Sequence, residues 1–196
     1  KLVNQKVNVG ENIIVDAKSF EATAGKNTYN NTTNSSSQGM SAGYDLTGGT
    51  VTGGINGSKG NSNSSSVYYD NTVINAGGTF QLTTKEDATF KGANVTADKI
   101  DFEIGGNLNV ISLQDEYKLN GENKSGGINY GHTEQSDGKS YNSPSGNLSY
   151  GESKGDSKWV NNQTSIIAEN GGSIKVGETL TNVGAIIGSM NESMTI

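Results

Sequence analysis

Side chains suited to acid–base or metal chemistry are few and scattered in this sequence. The single histidine, His132, lies in the Gly-rich polar stretch GGINYGHTE, with no second histidine and no cysteine to join it. A lone imidazole without partners reads as a solvated loop residue. Adjacent carboxylates occur at Glu86-Asp87 and Asp115-Glu116. Neighbours on a strand face opposite sides, so neither pair converges as glycosidase carboxylates must, and surface charge is the expectation. The stretches GGTFQLTTK and GGNLNVISL lack the second glycine and the aspartate of the calcium nonapeptide G-G-x-G-x-D. No G-K-[ST] follows any double glycine, as a phosphate loop would need. Sequons such as Asn94-Val95-Thr96 arise by chance in a chain this rich in Asn, Ser and Thr. No catalytic residue, metal site or cofactor is therefore expected.

Composition narrows the classes further. Only 31% of the 196 residues are hydrophobic and 7% aromatic, which argues against a thick globular core. Glycine is abundant at 28 residues while proline occurs once, unlike Gly-rich disordered chains, which usually carry proline too. The 14 basic residues are all lysine and the net charge is -6. Without arginine the chain lacks the bidentate contacts of nucleic-acid readers, so no nucleic acid is expected as a partner. The absence of cysteine rules out disulfides and thiolate metal sites. No apolar run approaches the ~18 residues of a membrane-spanning helix.

The organisation comes from internal repetition. NAGGTFQLTT (75–84) recurs in altered form as EIGGNLNVIS (103–112), ENGGSIKVGE (169–178) and, more loosely, NVGENIIVDA (8–17). Ser58-Lys59-Gly60 matches Ser153-Lys154-Gly155, Gly77-Gly78 matches Gly171-Gly172, and Gly92-Ala93 matches Gly184-Ala185, giving a repeat of roughly 92–95 residues. Apolar residues at every second position (Phe80/Leu82, Ile100/Phe102/Ile104, Leu108/Val110) predict strands with one buried face. Between them, Gly77-Gly78, Gly105-Gly106 and Gly171-Gly172 are expected as structural turns where positive φ is cheap. Short strands turned at brief intervals suit a parallel β-helix, in which each glycine turn starts a wall strand stacked on an earlier one. Asparagines at the turns are expected to stack in hydrogen-bonded ladders.

A second texture fills about 30–70 and 118–160, rich in Gly, Ser, Asn and Tyr, with turn pairs Asn56-Gly57, Asn120-Gly121 and Asp137-Gly138. These excursions read as antiparallel hairpins or long loops projecting from a solenoid built of about 1–27, 71–117 and 160–196. With about 20 residues per coil and ~4.8 Å between stacked strands, the solenoid stretches would give roughly five coils. The aromatics Tyr44, Tyr68, Tyr69, Tyr130, Tyr150 and Trp159 could meet a carbohydrate, a protein or a membrane interface. Equally, they would lie over the sides of the solenoid as lids.

The ordered series S-K-G-x-S, I-x-A-G-G-x-[hydrophobic]-x-[hydrophobic] and [hydrophobic]-x-G-A-x-[hydrophobic] occurs twice, the last element as Phe90-Lys91-Gly92-Ala93-Asn94-Val95 and Asn182-Val183-Gly184-Ala185-Ile186-Ile187. In this it resembles the haemagglutinin repeat of filamentous haemagglutinin-like exoproteins, among them two-partner-secretion adhesins and contact-dependent growth-inhibition effectors. The resemblance places repeats at about 24–97 and 98–190 of one repeat domain, an excerpt of a longer protein. It implies an all-β, right-handed parallel β-helix in a protein secreted to the cell surface of a Gram-negative bacterium. An outer-membrane secretion partner, and a host or bacterial cell-surface receptor, would be its partners. The expected role is non-enzymatic: a structural and interaction segment presenting binding or toxin domains. Two alternatives stay open, an outer-membrane toxin-translocation conduit, which would make membrane contact, and a carbohydrate-active β-helix enzyme.

Overall fold

The computed structural model describes residues 1–196, and every regular element in it is a β-strand. β1 (Leu2–Val3), β2 (Lys6–Val9), β3 (Ile13–Ala17), β4 (Phe20–Thr23) and β5 (Gly25–Asp45) open the chain. β6 (Thr50–Asp70), β7 (Thr72–Thr84), β8 (Ala88–Lys91), β9 (Ala93–Ile104) and β10 (Leu108–Ile111) follow. β11 (Asp115–Glu134) and β12 (Ser140–Trp159) are long; β13 (Ser165–Ala168), β14 (Gly172–Val176), β15 (Leu180–Val183), β16 (Ile186–Ser189) and β17 (Met194–Thr195) are short. Two compact units emerge. The first comprises Lys1–Thr28, Val67–Glu116 and Lys158–Ile196, the second Tyr29–Ser66 and Tyr117–Ser157.

In the first unit the strands pair in parallel. One sheet runs β1-β4-β8-β10-β15; the other stacks β2 and β3 on β7, then β9, then β13 and β14, then β16 and β17. Thr72 pairs with Ala93, Ala88 with Leu108 and Ser165 with Ile186, at offsets of 21, 20 and 21 residues. Where a long strand pair intervenes the offset rises to 67 (Lys6 with Val73) or 71 (Asn94 with Ser165). The sequence repeat is thereby explained. From Val73 to Asn94 is 21 residues and from Asn94 to Ser165 is 71, which together make 92, one short course plus one long one.

Alternation decides which side chains are buried. In β7, β9 and β10, Ile74, Phe80, Leu82, Val95, Ile100, Phe102, Ile104, Leu108 and Val110 are all buried. Phe20 and Phe90 come from one sheet and Phe80 and Phe102 from the other. These are all four phenylalanines of the chain, and they meet with ring centroids 5.1–6.4 Å apart. Aromatic pairs at such separations add to the area they bury. The Asn75 amide donates to Asn8 Oδ1 (2.7 Å), Asn71 to Asn94 Oδ1 (2.8 Å) and Asn191 to Asn170 Oδ1 (3.1 Å), so asparagines link successive courses.

The glycine pairs differ from the expectation in their physical reason. β7 runs through Gly77-Gly78 with a register shift between Ala76 and Thr79, a bulge rather than a strand end. Of the six named glycines only Gly171 (φ 78°) and Gly172 (φ 141°) have positive φ. The others are glycine because courses approach closely. A Cβ at Gly77 would run into the carbonyl of Gly10, one at Gly105 into that of Lys85, and ones at Gly78 and Gly106 into the side chains of Asn12 and Asp87.

The second unit is a four-stranded sheet in the order β12-β11-β6-β5. Its strands are antiparallel: Ser37 Oγ bonds Ser58 Oγ (2.8 Å) and Thr52 Oγ1 donates to Gly43 O (3.4 Å). The chain as a whole therefore mixes parallel and antiparallel pairing in sheets that do not close. None of the buried apolar residues lies in this second unit.

Candidate interaction surface

A sheet without buried apolar side chains exposes both faces, and alternation gives the two faces different chemistry. Gly39 faces Asn56 and Gly54 faces Asn129 across the strands, which places Met40 opposite Ile55 and Ile55 opposite Ile128. Leu148 of β12 joins this row. Met40 (87% exposed), Ile55 (57%), Ile128 (64%) and Leu148 (94%) line a shallow groove of about 1020 Å³, its floor bared by glycines such as Gly57 and Gly126. The opposite face carries Ser, Asn, Thr and Gly: Ser37, Ser41 and Gly43 on β5, Thr52, Gly54 and Ser58 on β6. Exposed apolar groups gathered in one row mark an interaction surface more strongly than scattered ones.

Beside the groove lies a charged corner. The Tyr150 hydroxyl donates to Glu152 Oε1 (2.5 Å), and Lys124 Nζ sits 5.4 Å from the Tyr150 ring centroid. The hydrogen bond to Glu152 comes first in pushing the phenol up to about 12, with desolvation and the negative charge of Glu122 adding to it. The same bond, with Lys154, lowers the Glu152 carboxyl.

The aromatic candidates fall in two places. Tyr44, Tyr130 and Tyr150 are exposed in the second unit. Tyr68, Tyr69 and Trp159 belong to the first, where Tyr68 and Trp159 meet edge-to-face at 6.4 Å. His132 lies on strand β11 and not in a loop. Its Nδ1 is 2.7 Å from Asn142 Oδ1, which also accepts from the Tyr130 hydroxyl at 2.7 Å. Glu86 pairs with Lys18 (3.1 Å), while Asp87 Oδ1 accepts from the Asn107 backbone (2.7 Å). Glu116 pairs with Lys158 (2.7 Å). Asp115, 2% exposed, is buried instead of superficial: Oδ1 accepts from the Tyr69 backbone N–H (2.9 Å), and Oδ2 has no hydrogen-bond partner. No group of three or more His, Cys, Asp or Glu could hold a metal ion.

Two residues that chemistry-led reading passes over close the long courses. Thr72 and Thr164 are each fully buried where the chain re-enters the first unit. The Thr72 hydroxyl donates to Thr23 O (2.6 Å) and that of Thr164 to Ile111 O (2.7 Å). Each ties the returning strand to the residue near which the chain left. Their signal in the sequence is positional, a threonine two residues before an inward isoleucine (Ile74, Ile166) in both repeats.

The family model for the hemagglutinin repeat matches residues 1–126, taking in the strands from β1 to β10 and the first long pair. The chain belongs to the hemagglutinin repeat family. Among its relatives, the tRNA nuclease CdiA of Yersinia mollaretii is 34% identical over 174 residues, 85% of this chain and 6% of the relative. The deoxyribonuclease CdiA of Yersinia pseudotuberculosis is 32% identical over 161 residues, 79% of this chain and 14% of that protein. The toxin CdiA of Escherichia coli is 34% identical over 109 residues, 53% of this chain and 3% of the relative. The hemagglutinin repeat chain thus spans only a small fraction of the length of these curated relatives, whose names describe whole proteins. No solved structure matches it.

Proposed function

We propose that this chain is a non-catalytic structural and interaction segment of a filamentous exoprotein at the surface of a Gram-negative bacterium. Exported by an outer-membrane secretion partner, it holds binding or toxin domains away from the cell. The first unit is read as a right-handed parallel β-helix, since parallel strands in one sheet are joined almost always by right-handed crossovers. The observation that carries the reading is the recurrence of 20–22 residue offsets in both parallel sheets, because courses that stack on their nearest neighbours at a fixed spacing can be added one after another along a single axis. The test is removal of one 92-residue repeat from the full-length protein. Secretion should persist, and the filament should shorten by two courses, about 10 Å at the usual strand spacing. Loss of catalytic activity with secretion and filament length unchanged would refute it.

The two-faced sheet of the second unit favours one further reading, the toxin-translocation conduit. Strands that present Met, Ile, Leu and Tyr on one side and Ser, Asn and Thr on the other have the alternation of outer-membrane barrel strands. Flotation with outer-membrane lipid vesicles checks it. Binding that Met40→Asp or Ile128→Asp abolishes is the expected result, and absence of binding at every lipid composition refutes the conduit.

A further inference from the structure

We propose that Asp115 and the two aromatic rings above it form a binding site for a primary alkylammonium group, the chemistry of a lysine side chain or a simple amine. Asp115 is 2% exposed, its Oδ1 accepts from the Tyr69 N–H (2.9 Å), and its Oδ2 has no hydrogen-bond partner. A buried carboxylate is ordinarily paired with a cation or coordinates one, and an unsatisfied buried oxygen points to a group that the chain itself does not supply. Lys158, beside Trp159 on β12, cannot serve. It faces the other side of the sheet, where it pairs with Glu116 (2.7 Å). Nor is this a metal centre with several protein ligands, since no three His, Cys, Asp or Glu side chains converge anywhere in the chain. One carboxylate oxygen is left for a singly charged partner.

The register of three strands builds the site around that oxygen. Glu116 opposite Lys158 places Asp115 opposite Trp159. On its other flank Asp115 reaches the backbone of Tyr69 on β6, next to Tyr68. β11 lies between β6 and β12, so Tyr68 and Trp159 start two strand spacings apart, about 9–10 Å. Their rings nevertheless meet, with centroids 6.4 Å apart and planes at 69°. They do so by leaning toward each other over the middle strand, where Asp115 stands. Two steeply inclined rings above a carboxylate attract a cation, because ring faces are negative. A primary ammonium adds what Oδ2 lacks, an N–H donor, whereas a quaternary ammonium carries the charge alone. Tyr68 and Trp159 are 41% and 38% exposed, so an incoming group meets the rings first and the carboxylate beneath them. Asp70, two residues along β6 and on the same side as Tyr68, adds negative charge at the approach; its Oδ2 accepts from the Asn27 amide (2.7 Å). All of these residues belong to the first unit, and the site does not depend on the filament role.

Trp159 is the only tryptophan of the chain, so its emission reports on this site alone. Titration with n-butylammonium chloride at constant ionic strength should change that emission to saturation. It should also move the Tyr69 cross-peak in a nitrogen–proton correlation spectrum, because that N–H is bonded to Asp115. Potassium chloride and neutral butanol should do neither. Tetramethylammonium should bind about tenfold or more weakly, the worth of one charge-assisted hydrogen bond. Asp115→Asn keeps the Oδ1 acceptor for Tyr69 but removes the charge, and should weaken n-butylammonium binding by about tenfold or more with the far-ultraviolet circular dichroism unchanged. Tyr68→Leu, which keeps the tryptophan, should weaken it several-fold, and carries the test alone should Asp115→Asn not fold. Tighter binding of Nα-acetyl-lysine methylamide than of n-butylammonium assigns the group to a polypeptide lysine, the reverse order to a free amine. An emission change that potassium chloride reproduces, undiminished binding by Asp115→Asn or, where that variant does not fold, by Tyr68→Leu, or a Tyr69 cross-peak that stays in place while Trp159 responds would each overturn the proposal and leave Oδ2 to a buried water.

Discussion

Replacing Thr164 by valine removes one hydroxyl from a fully buried position while keeping the side chain's shape. That hydroxyl donates to Ile111 O (2.7 Å) and accepts from the Gly92 N–H (2.9 Å). The net worth of a buried hydrogen bond is ~1 kcal/mol, and leaving a partner unpaired costs more. Here Gly92 N also donates to Ile111 O at 2.9 Å, so those two groups keep each other when the hydroxyl goes. The loss should therefore be about 1–2 kcal/mol, below the full penalty for an orphaned group. For a chain of this length that corresponds to a fall of roughly 2–8 °C in melting temperature. Urea unfolding followed by far-ultraviolet circular dichroism reads the loss. Amide exchange locates it, with Gly92 and Ala93 exchanging faster while the second unit is unaffected. A valine variant as stable as the unaltered chain, or more so, would show that packing and not the hydroxyl holds the returning strand.

Phe90, fully buried and stacked on Phe102 with centroids 5.8 Å apart, should cost about 3–5 kcal/mol when truncated to alanine, whereas Met40→Ala on the exposed sheet should stay within about 0.5 kcal/mol; chemical denaturation compares them. Gly172→Ala forces a Cβ into Ile100 at a φ of 141° and should destabilise by about 1–3 kcal/mol, while Gly188→Ala, with nothing within 4 Å, should be neutral or stabilising. The Tyr150 phenol, held up at about 12, should remain un-ionised when ordinary tyrosines have lost their protons near 10.0. Because its folded-state value is raised, any stabilisation from this bond is present below pH 10.0 and lost as pH climbs toward about 12. Absorbance titration at the phenolate band follows it, and Glu152→Gln should move the transition back toward its ordinary value.

The strands of the first unit were legible because their signal is local. Phe80/Leu82 and Ile100/Phe102/Ile104 carry the period of two within a single segment, and burial follows it. The interaction surface was not legible in the same way. Met40, Ile55, Ile128 and Leu148 each come from a different strand, surrounded by Gly, Ser and Asn, and only cross-strand register lines them up. For Asp115 and Glu116 the sequence showed that the two carboxylates part, but not that one of the two sides is the buried one. On a strand adjacency separates them, sending Asp115 inward to the Tyr69 N–H and Glu116 outward to Lys158. The glycine pairs were visible as glycines, yet the crowding that demands them comes from Gly10, Asn12, Lys85 and Asp87, distant in sequence.

The arithmetic of the repeat connects these observations. A course of 20–22 residues has no room for a long strand pair, yet the chain inserts one and returns to register, Asn94 against Ser165. Loop length alone is a weak obstacle, since closing a longer loop adds only ~0.6 kcal/mol per doubling. Register is the harder requirement, because a slip of one residue would turn Ile166 outward and Ser165 inward. The threonine at each return supplies the check. Its hydroxyl reaches the carbonyl at the point of departure only when the strand is correctly seated, as Thr72 does to Thr23 and Thr164 to Ile111. A strand seated one residue out of register would part that buried hydroxyl from its carbonyl, so the contact that closes each long course also penalises its slip.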